Sequence, residues 1–174
     1  MDPKQHHNAL DPSARLHWYE IRSILGQGGF GITYLAFDTN LKQQVAIKEY
    51  MPVEFSTRDS SKTVRPISEN YSKIYSWGLQ RFLEEAQTLA RFRHPNIVQV
   101  FDTEILDHST FHVLEYVEGG TLANRIDANG PLYPKHAAKL VATVSVAIHH
   151  AHTQGIIQRD LKPSNIILAA KDLP

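Results

Sequence analysis

A chain of 174 residues, 42% apolar and 21% charged, is long enough to bury a core of its own and has ordinary globular composition. Eighteen Lys and Arg balance eighteen Asp and Glu, which leaves no excess charge to draw the protein to nucleic acid or to a membrane surface. The absence of cysteine excludes disulfides, thiolate zinc sites and cysteine nucleophiles.

No apolar run approaches a membrane span, and the polar start Met1-Asp2-Pro3-Lys4-Gln5-His6-His7 lacks a signal-peptide core. A soluble, cytoplasmic protein is the expectation. Residues 1–16, with Pro3 and Pro12, read as a loose lead-in. Trp18 to Leu25 suits a strand, Gly26-Gln27-Gly28-Gly29-Phe30-Gly31 a glycine-rich turn, and Ile32-Thr33-Tyr34-Leu35-Ala36-Phe37 a second strand rich in β-branched and aromatic residues. After a turn at Asp38-Thr39-Asn40, Gln44 to Glu49 reads as a third strand. Residues 50–76 are polar and irregular, an insertion with the composition of an ordered loop or a flap. From Gly78 to Arg93, Leu79, Phe82, Leu83, Ala86 and Ala90 recur at helical spacing, and His94-Pro95-Asn96 ends that helix.

Ile97–Leu106 and Thr110–Tyr116 read as two more strands around a turn at Asp107-His108-Ser109. Glu118-Gly119-Gly120 is a linker, and Thr121 caps a short helix through Asn129. Pro134 opens a long helix to about Gln154, with Ala137, Leu140, Val141, Val144, Ala147, Ile148 and Ala151 on one face and Gly155 as its stop. The crowded His149, His150 and His152 lack acidic or His partners at metal-ligand spacing and read as solvated or core histidines. The order of elements predicts an α+β protein: a small antiparallel sheet lobe with one helix, residues 17–117, joined to the start of a helical lobe, residues 118–174.

Three features carry chemistry. A G-x-G-x-x-G loop serves two unrelated phosphate-binding folds. Here a strand follows it where a dinucleotide-binding fold needs a helix, so the glycines read as a hairpin flap whose backbone N–H groups approach phosphates. The same strand argues against a dinucleotide oxidoreductase. Lys48 interrupts an apolar strand, as an edge lysine facing water or as a buried ammonium paired with Glu84 or Glu85. Asp160, Lys162 and Asn165 in Gln158-Arg159-Asp160-Leu161-Lys162-Pro163-Ser164-Asn165 combine a hydroxyl-proton acceptor, a cation for phosphate charge and an oxygen ligand for Mg²⁺.

With these residues in order, the chain resembles the eukaryotic-type protein kinase family, in the style of bacterial serine/threonine kinases. The resemblance runs from about Trp18 to the end. It rests on Gly26–Gly31, on Val45-Ala46-Ile47-Lys48, and on Phe82-Leu83-Glu84-Glu85-Ala86 followed by His94-Pro95-Asn96-Ile97-Val98. It rests also on Leu114-Glu115-Tyr116-Val117-Glu118-Gly119-Gly120 and on Gly155 to Asn165. It implies a kinase-like fold, ATP and Mg²⁺ as cofactors, and proteins with Ser/Thr hydroxyls as partners. By the same resemblance Gly26, Gln27, Gly28, Gly29, Phe30 and Gly31 form the flap, Thr33 lies over the adenine, and Lys48 holds the α/β-phosphates and pairs with Glu85. Leu114 guards the back of the adenine pocket, the backbone at Glu115 and Val117 bonds adenine, and Ala46 and Ile167 sandwich it. Asp160 is the catalytic base and Asn165 a Mg²⁺ ligand, while Lys162 marks the Ser/Thr form of the loop.

The departures are Gln158 where the family has His or Tyr, Thr33 where it has Val, and the insertion at 50–76. The family's Asp-Phe-Gly motif does not occur, and Asp172 reads as part of a turn. These departures imply little activity for the 174 residues by themselves and a partly exposed apolar stripe on the long helix. The alternative to a kinase is a truncated pseudokinase serving as a nucleotide-binding or interaction module.

Overall fold

The computed structural model describes residues 8–90, 92–106 and 109–169. The first residues of the lead-in, the turn residues Asp107 and His108, and Asp172 therefore lie outside the described residues. Two compact units make up the chain: Met1–Arg91 with Gln99–Tyr116, and Phe92–Val98 with Val117–Pro174. The boundary falls at Tyr116 and Val117, but the short segment at 92–98 belongs to the second unit.

The first unit is built on a six-stranded antiparallel sheet. Its strands are β1 (Arg15–Leu16), β2 (Tyr19–Gly28), β3 (Gly31–Asp38), β4 (Gln43–Tyr50), β7 (Val100–Leu106) and β8 (Ser109–Glu115), in the order β1-β2-β3-β4-β8-β7. Period-two alternation assigns the faces. Ile32, Tyr34, Ala36, Val45 and Ile47 are fully buried, whereas Thr33, Leu35, Phe37 and Lys48, one step out of phase, are half-buried. The described part of the lead-in is not loose. Leu10 and Leu16 join the core, the Leu10 N–H donates to the Tyr34 hydroxyl at 3.1 Å, and Ile21 N–H donates to Ala14 at 2.9 Å. Two leucines among polar residues and prolines were too few to show a period, yet enough to close one end of the sheet.

The stretch at 50–76 is also ordered. It forms a hairpin of β5 (Ser56–Arg58) and β6 (Val64–Pro66) and then the first turns of α1 (Glu69–Leu89). The hairpin turn is wound around Asp59, whose Oδ1 accepts from the N–H groups of Ser61 at 2.9 Å and Thr63 at 3.0 Å. Arg58 ties the hairpin to the sheet through an ion pair of 2.5 Å with Glu49, both side chains being almost wholly buried. Glu49 also accepts from the Tyr34 hydroxyl at 2.8 Å, and Arg58 donates to the Asn8 carbonyl at 2.8 Å. A charge so placed is tolerated only when paired and hydrogen-bonded.

Helix α1 begins nine residues before Gly78, the start expected from the sequence, because Tyr71, Ile74 and Tyr75 already carry helical spacing among Ser, Asn and Lys. Gly78 is internal for a packing reason. A Cβ there would lie 2.1 Å from the Tyr50 hydroxyl oxygen, so only glycine lets the helix approach the sheet at that point. Tyr75 and Phe82 pack on the Tyr50 ring, each with a centroid separation of 5.4 Å.

In the second unit the expected linker is a strand. β9 (Gly119–Thr121) pairs antiparallel with β10 (Ile167–Ala169). Thr121 then caps α2 (Leu122–Asn129) in a reciprocal capping box with Asn124. Helix α3 (Pro134–Thr153) opens on proline and is followed by Gly155 in the left-handed region, φ 78°, as a helix stop requires. Ala147 and Ala151 of its apolar stripe are buried, while Val141 is 62% exposed. His150 packs against Phe92 and His94, each 5.2 Å away between centroids. No helix among the described residues is long and apolar enough to cross a membrane.

Candidate active site

The candidate residues fall into two sets, one in each unit. In the first unit the glycine run is a tight hairpin, not a loop. Gly26 pairs with Thr33, Gln27 with Ile32 and Gly28 with Gly31, leaving Gly29 and Phe30 at the tip. The four glycines have different reasons for being glycine. A Cβ on Gly31 would fall 1.9 Å from the Glu49 carbonyl oxygen, so that residue is fixed by strand packing. A Cβ on Gly26, Gly28 or Gly29 would meet nothing within 4 Å. Packing leaves these three unexplained, whereas close approach of a ligand to bare backbone would explain them.

Register puts the remaining members of this set on one sheet face. Lys48 lies opposite Thr33 on β3 and opposite His112 on β8, and Ala46 lies opposite Leu35 and Leu114. Lys48 is therefore on a central strand, which removes the reading of an edge lysine facing water. The N–H of Glu115 already donates to the Gln99 carbonyl at 2.9 Å, so Glu115 can bond a ligand only through acceptor groups.

The expected ion pair between Lys48 and Glu85 is not formed. Helix α1 turns Phe82 and Ala86 to the sheet and leaves Glu85 in solvent, while Glu84 binds Arg81 at 2.9 Å on the helix surface. Phe82 takes the place beside the lysine, with the Lys48 Nζ 5.4 Å from its ring centroid. Among the described residues no carboxylate lies within ion-pair distance of Lys48. Sequence reading passed over His112, although a histidine in the apolar run Phe111-His112-Val113 is a legible anomaly. Its ring stacks on Phe82 at 3.8 Å and is almost fully buried.

The second unit holds Asp160, Lys162 and Asn165 together. Lys162 Nζ lies 2.7 Å from Asp160 Oδ2. The Asn165 amide donates from Nδ2 to the Asp160 carbonyl at 2.8 Å and to Asp160 Oδ2 at 3.0 Å. Gln158 contributes as well, its Oε1 accepting from the Asp160 N–H at 3.2 Å. Thus the residue that departs from the family pattern still shapes the loop, by a local side-chain-to-backbone bond.

The 3-10 turn Pro163–Asn165 holds Asn165 under the aspartate. The bond from Leu122 N–H to the Ile166 carbonyl, 2.8 Å, and the β9–β10 pairing anchor the loop's far end, with Ile167 opposite Thr121. Hydrogen bonding from Lys162 first, and from Asn165 next, holds the Asp160 carboxyl below the usual carboxylate range. Asp160 therefore stays an ionised acceptor at neutral pH. With both Nδ2 bonds spent on Asp160, Asn165 has its Oδ1 left to offer a hard cation. Val117 belongs to the connection before β9 in this unit.

Comparison with known proteins bears on the family and the fold. The family described as Protein kinase domain matches residues 19–173. Serine/threonine-protein kinase PrkC of Bacillus subtilis is 38% identical over 150 residues, covering 86% of this chain and 20% of the relative. Serine/threonine-protein kinase PknB of Mycobacterium tuberculosis is 35% identical over 163 residues, covering 91% of this chain and 23% of the relative. The chain thus spans about a fifth of the length of these curated relatives. Among solved structures, the apo form of PpkA-294 superposes with a TM-score of 0.90 at 32% identity, over 96% of this chain and 60% of that one. The kinase domain of M. tuberculosis PknI gives 0.70 at 23% identity, a likeness of fold. With a family match over most of the chain, relatives named as serine/threonine kinases, and a sheet lobe and catalytic-type loop to match, the chain belongs to the protein kinase domain family.

Proposed function

We propose that the protein of which these residues form part binds Mg·ATP and transfers the γ-phosphoryl group to Ser or Thr hydroxyls of proteins. The observation that carries this reading is the Asp160 cluster: an ionised carboxylate, fixed by Lys162 at 2.7 Å and by Asn165 Nδ2 at 3.0 Å, on a loop whose far end is anchored by strand pairing.

Asp160 accepts the proton of the acceptor hydroxyl as the oxygen attacks phosphorus. Lys162 stabilises charge on the transferring group once the acceptor displaces it from the aspartate. The bare backbone of Gly26, Gly28 and Gly29 takes the phosphates, with Lys48 as their cation, and Thr33, Ala46 and Leu114 on the same sheet face line the adenine. Asn165 Oδ1 fits a Mg²⁺ ligand, and the ion bound there would neutralise phosphate charge. Glu85, one position from the buried Ala86, is the carboxylate that a turn of α1 would bring to Lys48.

Calorimetry on this chain tests the nucleotide half. ATP binds, Mg²⁺ strengthens binding, and Lys48→Met weakens it by more than about tenfold. A phosphotransfer assay on the full gene product tests the catalytic half. Asp160→Asn lowers kcat by about 10²- to 10⁴-fold with little change in ATP affinity. Binding without turnover in the unsubstituted gene product would overturn the kinase reading in favour of a nucleotide-binding module.

A further inference from the structure

Among the described residues, one buried side-chain polar atom is left without a hydrogen-bond partner. His112 Nε2 lies 3.1 Å from the Phe82 carbonyl oxygen. A carbonyl only accepts, so Nε2 carries the proton and Nδ1 is a bare acceptor. Nδ1 is buried and has no hydrogen-bond partner, although the His112 residue is only 5% exposed. An unsatisfied buried acceptor of this kind carries a free-energy cost.

Lys48 is the nearest candidate donor by position. It lies directly opposite His112 on the adjoining antiparallel strand, which places both side chains on one face with their Cβ atoms about 5 Å apart. Its ammonium already rests over the ring of Phe82, the ring stacked on the imidazole. Burial first, and the Lys48 charge second, push the His112 pKa down to about 4, so the ring is neutral and able to accept at physiological pH.

We propose that His112 is a positioning residue for Lys48: its Nδ1 accepts a hydrogen bond from the Lys48 ammonium after a rotamer change, while its Nε2–H stays tied to the Phe82 carbonyl of α1. This rests on the reading of Lys48 as the phosphate-binding lysine. It gives the lysine a neutral partner while Glu85 lies in solvent. Because the imidazole is bonded to and stacked on α1, the contact also links the setting of that helix to the lysine without passing through Glu85.

Nitrogen NMR on the chain labelled at histidine and lysine tests the contact directly. In the unsubstituted chain the Nδ1 resonance lies at the position of an unprotonated, hydrogen-bonded nitrogen. Lys48→Met moves it to that of a free acceptor and leaves Nε2–H in place. An Nδ1 resonance unmoved by Lys48→Met overturns the proposal, and this arm leaves His112 itself unsubstituted. A second arm uses ATP affinity. His112→Leu weakens binding by about 2- to 10-fold, and His112→Gln, whose amide can donate to Phe82 and accept from Lys48, restores most of it; loss in both variants alike overturns the positioning role. If Nδ1 responds to Lys48→Met but ATP affinity does not, the contact stands and the assignment of Lys48 to phosphate fails.

Discussion

Gly31 and Gly28 sit opposite each other in one hairpin, and they separate two demands on the same residue type. Gly31→Ala drives a methyl group to 1.9 Å from the Glu49 carbonyl oxygen, which forces β3 and β4 apart. Overpacking of that kind costs about 1–3 kcal/mol, and denaturant unfolding should show that loss. Gly28→Ala meets no atom; its unfolding curve should stay close to that of the unsubstituted chain, while calorimetry shows weaker ATP binding. Equal stability losses in the two variants would remove the ligand-based argument for Gly28. Asp160 makes a second prediction at this scale. Its carboxyl is held below the usual range by Lys162 before any other group, so Lys162→Met should let its pKa rise. In the full gene product, the acid limb of the kcat profile then moves to higher pH. His112 has a linkage of the same sign, for a different reason: burial disfavours its charged form. Its pKa is lowered from 6.5 to about 4 on folding, so the unfolded chain binds the proton more readily. The neutral ring's advantage is intact above pH 6.5 and is lost as pH falls from there towards about 4. Urea unfolding across that window should show His112→Gln losing less stability on acidification than the unsubstituted chain.

At the scale of elements, α1 and the β5–β6 hairpin show why part of the first unit was unreadable. A glycine at the head of an apolar periodic run looks like a helix boundary, and from the sequence Gly78 reads as one. Its true partner, the Tyr50 hydroxyl, lies 28 residues earlier in the chain and leaves no local trace. Gly78→Ala should therefore destabilise the protein even though alanine is favoured by about 1 kcal/mol inside a helix. Tyr50→Phe, which removes the colliding oxygen, should recover part of the loss in the double variant, a non-additivity that thermal melts can measure. The hairpin was hidden differently: three-residue strands are too short for alternation, and the Arg58–Glu49 pair joins residues whose burial no pattern announces. Arg58→Ala breaks this buried pair and should cost about 3–5 kcal/mol. The candidate site was more legible than its frame. Asp160, Lys162 and Asn165 lie on one short loop, so spacing alone brought them together, and the structure adds only the bonds. The Lys48–Glu85 pair depends on the rotation of a helix about its axis, which no spacing specifies, and there Phe82 stands beside the lysine instead.

For the whole molecule, burial is divided unequally between the two units. The continuous core, from Leu10 through Tyr34, Ile47 and Phe82 to Val113, lies entirely in the first. The described residues of the second contribute Phe92, Leu122, Ala147 and Ala151 as fully buried apolar side chains, two of them alanines. Val141, Val146, Ile157 and Leu161 remain more than half exposed there. Apolar burial is the main favourable term in folding and scales with the area removed from water. Regions poor in it open locally at lower free energy than the global transition. Hydrogen exchange on this chain should therefore resolve two classes of amide. Those of β3, β4 and β8, hydrogen-bonded on both sides within the sheet, should exchange only with global unfolding. Those of α3 should exchange through smaller openings, despite its 20 residues of regular helix. The exposed apolar side chains should also bind a hydrophobic dye at neutral pH. Replacing Val141 and Val146 with glutamine should reduce that fluorescence without slowing exchange in the sheet. Protection in α3 equal to that in β4 would mean that the second unit draws its stability from the first, and that the unequal division of core does not govern how the chain unfolds.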